Sequence, residues 1–152
     1  MQFSPDGKFL VTFSWPERIS VWNISTGGSL GKRTISQGSA SAVVISPDSR
    51  LVASAGDDNI ITVQEIQQGA PVAVLRGHKA QIRALAFSPD GKTLASSSAD
   101  QTLRLWHCAT WREMGVLQRG AEYTSLAFVG SPPRLVAIGP RGRVVFEGSN
   151  AR

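Results

Sequence analysis

Phe3-Ser4-Pro5-Asp6-Gly7-Lys8 recurs unchanged as Phe87-Ser88-Pro89-Asp90-Gly91-Lys92, and a worn copy, Ile45-Ser46-Pro47-Asp48-Ser49-Arg50, stands midway between them. The three begin 42 residues apart. In each, proline fixes φ and the fifth residue, glycine in two of the three, suits a positive φ, so the stretch turns the chain tightly between two apolar runs. A constant period in the low forties with a turn at a fixed place describes a chain made of copies of one small β-unit.

Composition sets the outer limits. The chain has 152 residues, 41% hydrophobic and 18% charged, which suits one folded domain. Its 15 glycines and 8 prolines supply many turns. Cys108 is the single cysteine, so no intrachain disulfide can form, and an intracellular, cytoplasmic setting is expected. Asn23-Ile24-Ser25 fits a glycosylation acceptor, but such tripeptides arise by chance. The start, MQFSPDGKFL, lacks a basic segment followed by a long apolar run, and no apolar stretch nears the ~20 residues of a spanning helix, so neither a signal peptide nor membrane attachment is expected.

Net charge is +5, and residues 101–152 carry seven arginines against Glu113, Glu122 and Glu147. These basic residues lie scattered through turns without interleaved aromatics that would stack bases. A solvated surface therefore explains them better than a nucleic-acid interface.

One full unit runs from Val72 to Trp106. Residues 72–75 form a strand ending in Arg76-Gly77-His78, and Ile82, Leu85 and Phe87 mark a second. Leu94 to Ser98 is a third strand after the turn, and Thr102 to His107 a fourth, with Leu103 and Leu105 in alternation. Elsewhere the template fits with graded loss. The first copy offers Phe9–Ser14 and Arg18–Trp22; the second Ala42–Ile45, Leu51–Ser54 and Ile60–Ile66; the fourth Tyr123–Phe128, Leu135–Ile138 and Val144–Phe146. Segments 29–35, 70–75 and 112–117 supply outer strands. No segment keeps helical periodicity with caps, so the chain reads as all-β.

Gly77-His78, Phe87 to Gly91, Leu94-Ala95-Ser96, Asp100 and Leu105-Trp106, in this order and spacing, resemble a WD-repeat β-propeller, and the likeness extends over essentially the whole chain. In that family four-stranded antiparallel blades circle a central channel. The resemblance implies a partial propeller of three and a half to four blades in one domain, at about 1–35, 36–76, 77–118 and 119–152. The WD dipeptide itself is absent: Trp22-Asn23, Gln64-Glu65, Trp106-His107 and Phe146-Glu147 hold its place.

The family's buried hydrogen-bond tetrad carries over onto His78, Ser96, Asp100 and Trp106. The second unit keeps Ser54 and Asp58 but has Ser36 and Gln64 at the other positions; the first keeps Thr12 and Trp22 with Pro16 in place of the aspartate; the fourth keeps essentially none. Only the third unit is complete, so the third blade is expected to be the most rigid.

This assignment competes with several chemical readings. His78, Ser96 and Asp100 have the residue types of a hydrolase triad, but the tetrad would bury the hydroxyl under tryptophan. His107 is expected at the surface, and two histidines with one cysteine give no zinc spacing. Gly139-Pro140-Arg141-Gly142-Arg143 lacks the Lys-Ser/Thr of a phosphate-binding loop and reads as a hairpin turn. Asp57-Asp58-Asn59 stands where the family's turn aspartate falls. No catalytic residue, cofactor or metal is expected.

Partners of related propellers commonly bind at the channel-facing rim, formed by strand starts and the turns before the tetrad aspartate. By position, that rim here comprises Trp15, Ser39, Ser41, Asp57, Gln81, Arg83, Ala99, Glu122 and Thr124. Trp15, in a turn before Pro16, is the most informative, although it could equally cover the channel wall. The resemblance thus implies a noncatalytic protein-interaction scaffold, with a regulatory segment split from a larger signalling protein as the alternative and an enzyme or nucleic-acid binder behind it. Met1 stands two residues before Phe3, and no fourth strand is legible after Phe146, so the chain looks like the carboxyl half of a larger propeller. Its open blade face and unpaired edge predict self-association or a complementing half, with a protein partner of unknown identity. Two copies would give about eight blades, though neither end supplies an obvious closing strand.

Overall fold

The structure, a computed structural model, describes residues 1–14, 18–34 and 40–146, with side chains left out at 13, 14, 18, 31–34, 118 and 119. Fifteen strands and no helix are present among the described residues, and none is therefore a helix long and apolar enough to cross a membrane. They form four antiparallel sheets in chain order. The first holds β1 (Gln2–Phe3), β2 (Phe9–Ser14), β3 (Arg18–Asn23) and β4 (Ser29–Thr34). The second holds β5 (Ala40–Ile45), β6 (Leu51–Gly56), β7 (Ile60–Glu65) and β8 (Pro71–Arg76). The third holds β9 (Ile82–Phe87), β10 (Thr93–Ser98), β11 (Thr102–His107) and β12 (Arg112–Arg119), and the fourth has three strands, β13 (Ser125–Val129), β14 (Arg134–Gly139) and β15 (Gly142–Phe146). The first strands β1, β5, β9 and β13 lie side by side, each sheet packed on the next. These are the blades of a partial β-propeller, the fold the resemblance implied.

The repeated turn is built by one set of bonds. Ser88 Oγ bonds Asp90 Oδ1 at 2.5 Å and accepts the Thr93 N–H at 2.9 Å, while Asp90 Oδ1 accepts the Lys92 N–H at 3.0 Å. Ser4 with Asp6, and Ser46 with Asp48, repeat the arrangement bond for bond. The fifth residue is left-handed each time, at φ 71° for Gly7, 60° for Ser49 and 69° for Gly91. Serine in place of glycine costs backbone strain of ~1 kcal/mol at such a position. Ser49 gains something in return: its Oγ accepts the Asp6 N–H at 3.1 Å, tying the second sheet to the first.

Three apolar clusters fill the gaps between successive sheets. Val11, Ile19 and Val21 meet Ile45 and Val52 between the first and second. Ala53, Ile61 and Val63 meet Leu85, Phe87, Leu94 and Trp106 between the second and third. Ala84, Ala86, Ala95 and Leu103 meet Leu126, Leu135 and Tyr123 between the third and fourth. In the last of these, Ala84, Ala86 and Ala95 of the third sheet receive the larger Leu126, Leu135 and Tyr123.

Most expected strands shift their bounds by one or two residues, and in two of them the cause is visible. Tyr123 and Thr124 precede β13 rather than opening it. The Tyr123 carbonyl accepts Ser97 Oγ–H of the third sheet at 2.8 Å, which takes it out of the ladder. The outer strand expected over 112–117 extends to Arg119, because two register shifts against β11 let it accommodate extra residues.

Candidate functional site

His78 leaves β8 after Gly77 and lies over the third sheet before β9 begins. Space at 77 is tight: a Cβ there would stand 2.8 Å from Arg104 Nη1, 3.1 Å from Glu113 Oε2 and 3.2 Å from the Trp106 ring. Arg104 and Glu113 form an ion pair of 2.5 Å at that spot. On that same face of the sheet, Leu94 pairs with Trp106, one alternation from Ser96, so indole and hydroxyl lie side by side.

A continuous chain of hydrogen bonds results. Trp106 Nε1–H donates to Ser96 Oγ at 2.8 Å, Ser96 Oγ is 2.8 Å from His78 Nε2, and His78 Nδ1 is 2.9 Å from Asp100 Oδ2. With Nδ1 carrying the proton toward the carboxylate, Nε2 accepts from Ser96, and every group has a partner. Asp100 also accepts the Lys79 N–H at 2.8 Å, the Thr102 N–H at 2.9 Å and the Thr102 hydroxyl at 2.6 Å. Ser96 has no exposed surface and Trp106 is 2% exposed.

Burial pushes the imidazole of His78 below its ordinary value, with Asp100 opposing through its hydrogen bond and charge. For Asp100, burial alone would raise the value, but the bonds from Thr102, Lys79 and His78 outweigh it and bring it down to about 2. A neutral histidine bonded to an ionised aspartate is therefore the state near neutral pH. The thiol of Cys108 is raised to about 11 by burial and by the neighbouring Asp90.

Eroded copies of the group occupy the other sheets. Leu10 pairs with Trp22, Val52 with Gln64 and Leu135 with Phe146, the same register as Leu94 with Trp106. Trp22 Nε1–H donates to Thr12 Oγ1 at 3.2 Å, but Trp22 is 39% exposed. Asp58 Oδ1 accepts the Ile60 N–H at 3.2 Å in the second sheet, where Ser36 lies outside the described residues, as do Pro16 and Glu147. In the fourth sheet Phe146 stacks edge-on against Tyr123, ring centroids 6.3 Å apart, an apolar substitute for His78 against Trp106.

The rim residues divide by their partners. Ser41 donates to the Ile82 carbonyl and Gln81 to the Asp57 carboxylate, so these three side chains link the second sheet to the third. Ala99 is half-buried, and its amide bonds the Gln81 carbonyl at 2.8 Å. Ser41 and Arg83 each occupy the extra position of a bulge, skipped in the pairing of β5 with β6 and of β9 with β10. Such bulges turn a side chain away from the ladder. Arg83, Glu122 and Thr124 are exposed, with Thr124 Oγ1 3.4 Å from the Ile138 carbonyl. Trp15 and Ser39 lie outside the described residues.

A cleft of about 540 Å³ opens at this end between the third and fourth sheets, lined by Gln101, Glu122, Tyr123, Pro140 and Arg141 among others. Gln101 escaped the sequence reading and Arg141 was read only as part of a hairpin turn, although both stand in turns homologous to that holding Asp57. Thr102 was also missed; a hydroxyl two residues after a turn aspartate at a strand start is the signal that could have found it. Among the described residues no group of three or more His, Cys, Asp or Glu is placed to hold a metal ion.

No curated protein matches this chain. The pattern described as WD domain, G-beta repeat matches residues 1–23, 32–63 and 69–107, well over half the sequence, and the chain belongs to the WD40 family.

Proposed function

We propose that this chain is a noncatalytic scaffold that binds a protein partner through the strand-start rim, in a cytoplasmic setting. Repeats of this family generally serve as protein-interaction scaffolds. The contrast between two groups of polar residues carries the reading for this chain. Ser96 is fully enclosed, and both nitrogens of His78 are engaged, so a substrate reaching that hydroxyl would have to displace Trp106. Arg83, Glu122 and Thr124 are instead open to solvent near the starts of successive inner strands, and Glu122 lines the cleft with Gln101 and Arg141.

Arginine and tryptophan are the side chains most enriched at binding hot spots, so Arg83 and Trp15 are assigned the main contacts. The test is affinity for a partner captured by the wild-type chain from its native cell. Arg83→Ala and Trp15→Ala are expected to weaken it at least ~30-fold each, the loss of about 2 kcal/mol that marks a hot spot. Unchanged affinity in both would contradict the rim assignment.

A further inference from the structure

The three inter-sheet interfaces are made from one pair of surfaces used repeatedly. The trailing surface of a sheet, represented by Ala84, Ala86, Ala95 and Leu103 in the third, is covered by the leading surface of the next, represented by Leu126, Phe128, Leu135 and Phe146 in the fourth. Ala42, Ala53, Ile61 and Val63 of the second sheet receive Leu85, Phe87, Leu94 and Trp106 of the third in the same way. Among the described residues one surface of each kind is left over.

On the fourth sheet, Ala127, Val136 and Val145 are paired across the strands, and Ile138 lies beside them on the same trailing face. Ile138 is 47% exposed and Val145 37%. Their counterparts in the second sheet, Ala55 and Val63, have no exposed surface. On the first sheet, Phe3, Leu10 and Trp22 hold the leading positions that Phe87, Leu94 and Trp106 hold in the third. Phe3 is 60% exposed where Phe87 is 9%. Neither leftover face can cover a copy of itself in the manner of the internal interfaces, because those always join a trailing face to a leading one. The chain nonetheless carries one of each, at opposite ends of its run of four sheets.

We propose that two copies of this chain join head to tail, the Phe3–Leu10–Trp22 face of each against the Val136–Ile138–Val145 face of the other. A single such contact leaves the same two faces open at the far ends, and a second contact closes them, giving a two-fold ring of eight sheets. Propellers of four to eight blades are geometrically accessible, so eight closes within the known range. A head-to-tail contact that closes after two copies yields a discrete dimer, whereas one that fails to close yields open-ended chains.

Sedimentation at physiological salt tests this with three proteins: the wild type, Phe3→Lys and Ile138→Lys. Both substituted side chains are exposed, and circular dichroism with thermal unfolding checks that each variant keeps its fold. The wild type is expected to be a dimer, with the dissociation constant of each variant raised at least ~100-fold. Mixing the two variants is expected to bring back one of the two contacts, since the Phe3→Lys copy keeps an intact fourth-sheet face and the Ile138→Lys copy an intact first-sheet face, so the mixture pairs more tightly than either variant alone and less tightly than the wild type. A folded wild-type monomer, polymers that grow beyond two copies, or variants that remain monomeric on mixing would overturn the ring. None of these outcomes bears on the rim contacts of Arg83, so the two proposals fail separately.

Discussion

The indole N–H of Trp106 donates to Ser96 Oγ over 2.8 Å with both side chains closed to solvent. The same bond joins Trp22 to Thr12 in the first sheet at 3.2 Å, where the indole is 39% exposed. Ser96 also serves His78, whereas water can reach Trp22 and take over its bond.

The two sites therefore respond differently to loss of the hydroxyl. Ser96→Ala leaves a buried indole N–H and a buried imidazole nitrogen without partners and is expected to cost about 2 to 4 kcal/mol. Thr12→Val should cost less than about 1 kcal/mol, since exposure limits the penalty. Urea denaturation followed by tryptophan fluorescence measures both.

Acid is expected to destabilise the protein through this group. Asp100 falls from 3.8 to about 2 on folding, so its contribution is complete above about pH 4 and is lost as the pH falls toward about 2. His78 is also lowered, from 6.5, so the unfolded chain takes up its proton first and stability declines as the pH falls below that value. Both act in one direction. Asp100→Asn should be less stable at neutral pH and show a flatter decline below pH 4, read from denaturation midpoints across pH.

Two glycines without positive φ separate flexible from rigid crowding. A Cβ at Gly139 would run into the Glu122 carbonyl oxygen, a backbone atom, whereas at Gly77 the nearest atom is the movable guanidinium of Arg104 at 2.8 Å. Gly139→Ala is expected to cost about 3 kcal/mol and Gly77→Ala about 1 kcal/mol, the range for overpacking with and without a neighbour that can yield. Thermal unfolding of both variants gives the comparison.

Cys108 packs against the cluster between the second and third sheets. With its thiol raised to about 11, little thiolate is present at neutral pH. Alkylation in the folded protein should be at least ~100-fold slower than in urea, since the reactive species is the thiolate and access is restricted. The rate of reaction then reports local opening of this interface.

The third unit was legible almost completely, because its turn, its alternating strands and its polar quartet all agree on one structure. The fourth was not, for a reason visible in the connection before it. Five residues, 77–81, separate β8 from Ile82 and carry His78; three residues, 120–122, separate β12 from Tyr123. The shortened link has no place for the histidine loop, and Tyr123, 4% exposed, takes the core position of Ile82. Phe128 consequently stands 41 residues after Phe87 instead of 42, enough to blur the repeat. The rim was legible by position alone. Which of its side chains face solvent was not, because the bond of Gln81 to Asp57 and that of Ser41 to Ile82 join residues 24 and 41 apart in sequence.

Hydrogen exchange of the native protein tests most directly whether His78, Ser96, Asp100 and Trp106 hold the structure together rather than act on a substrate. The slowest amides are expected in residues 78–106, with β10 and β11 exchanging only on global unfolding, and with Ser96→Ala collapsing that protection toward the level of the first sheet. Protection of residues 1–66 greater than that of 78–106, or a Ser96→Ala variant whose exchange matches the wild type, would contradict it.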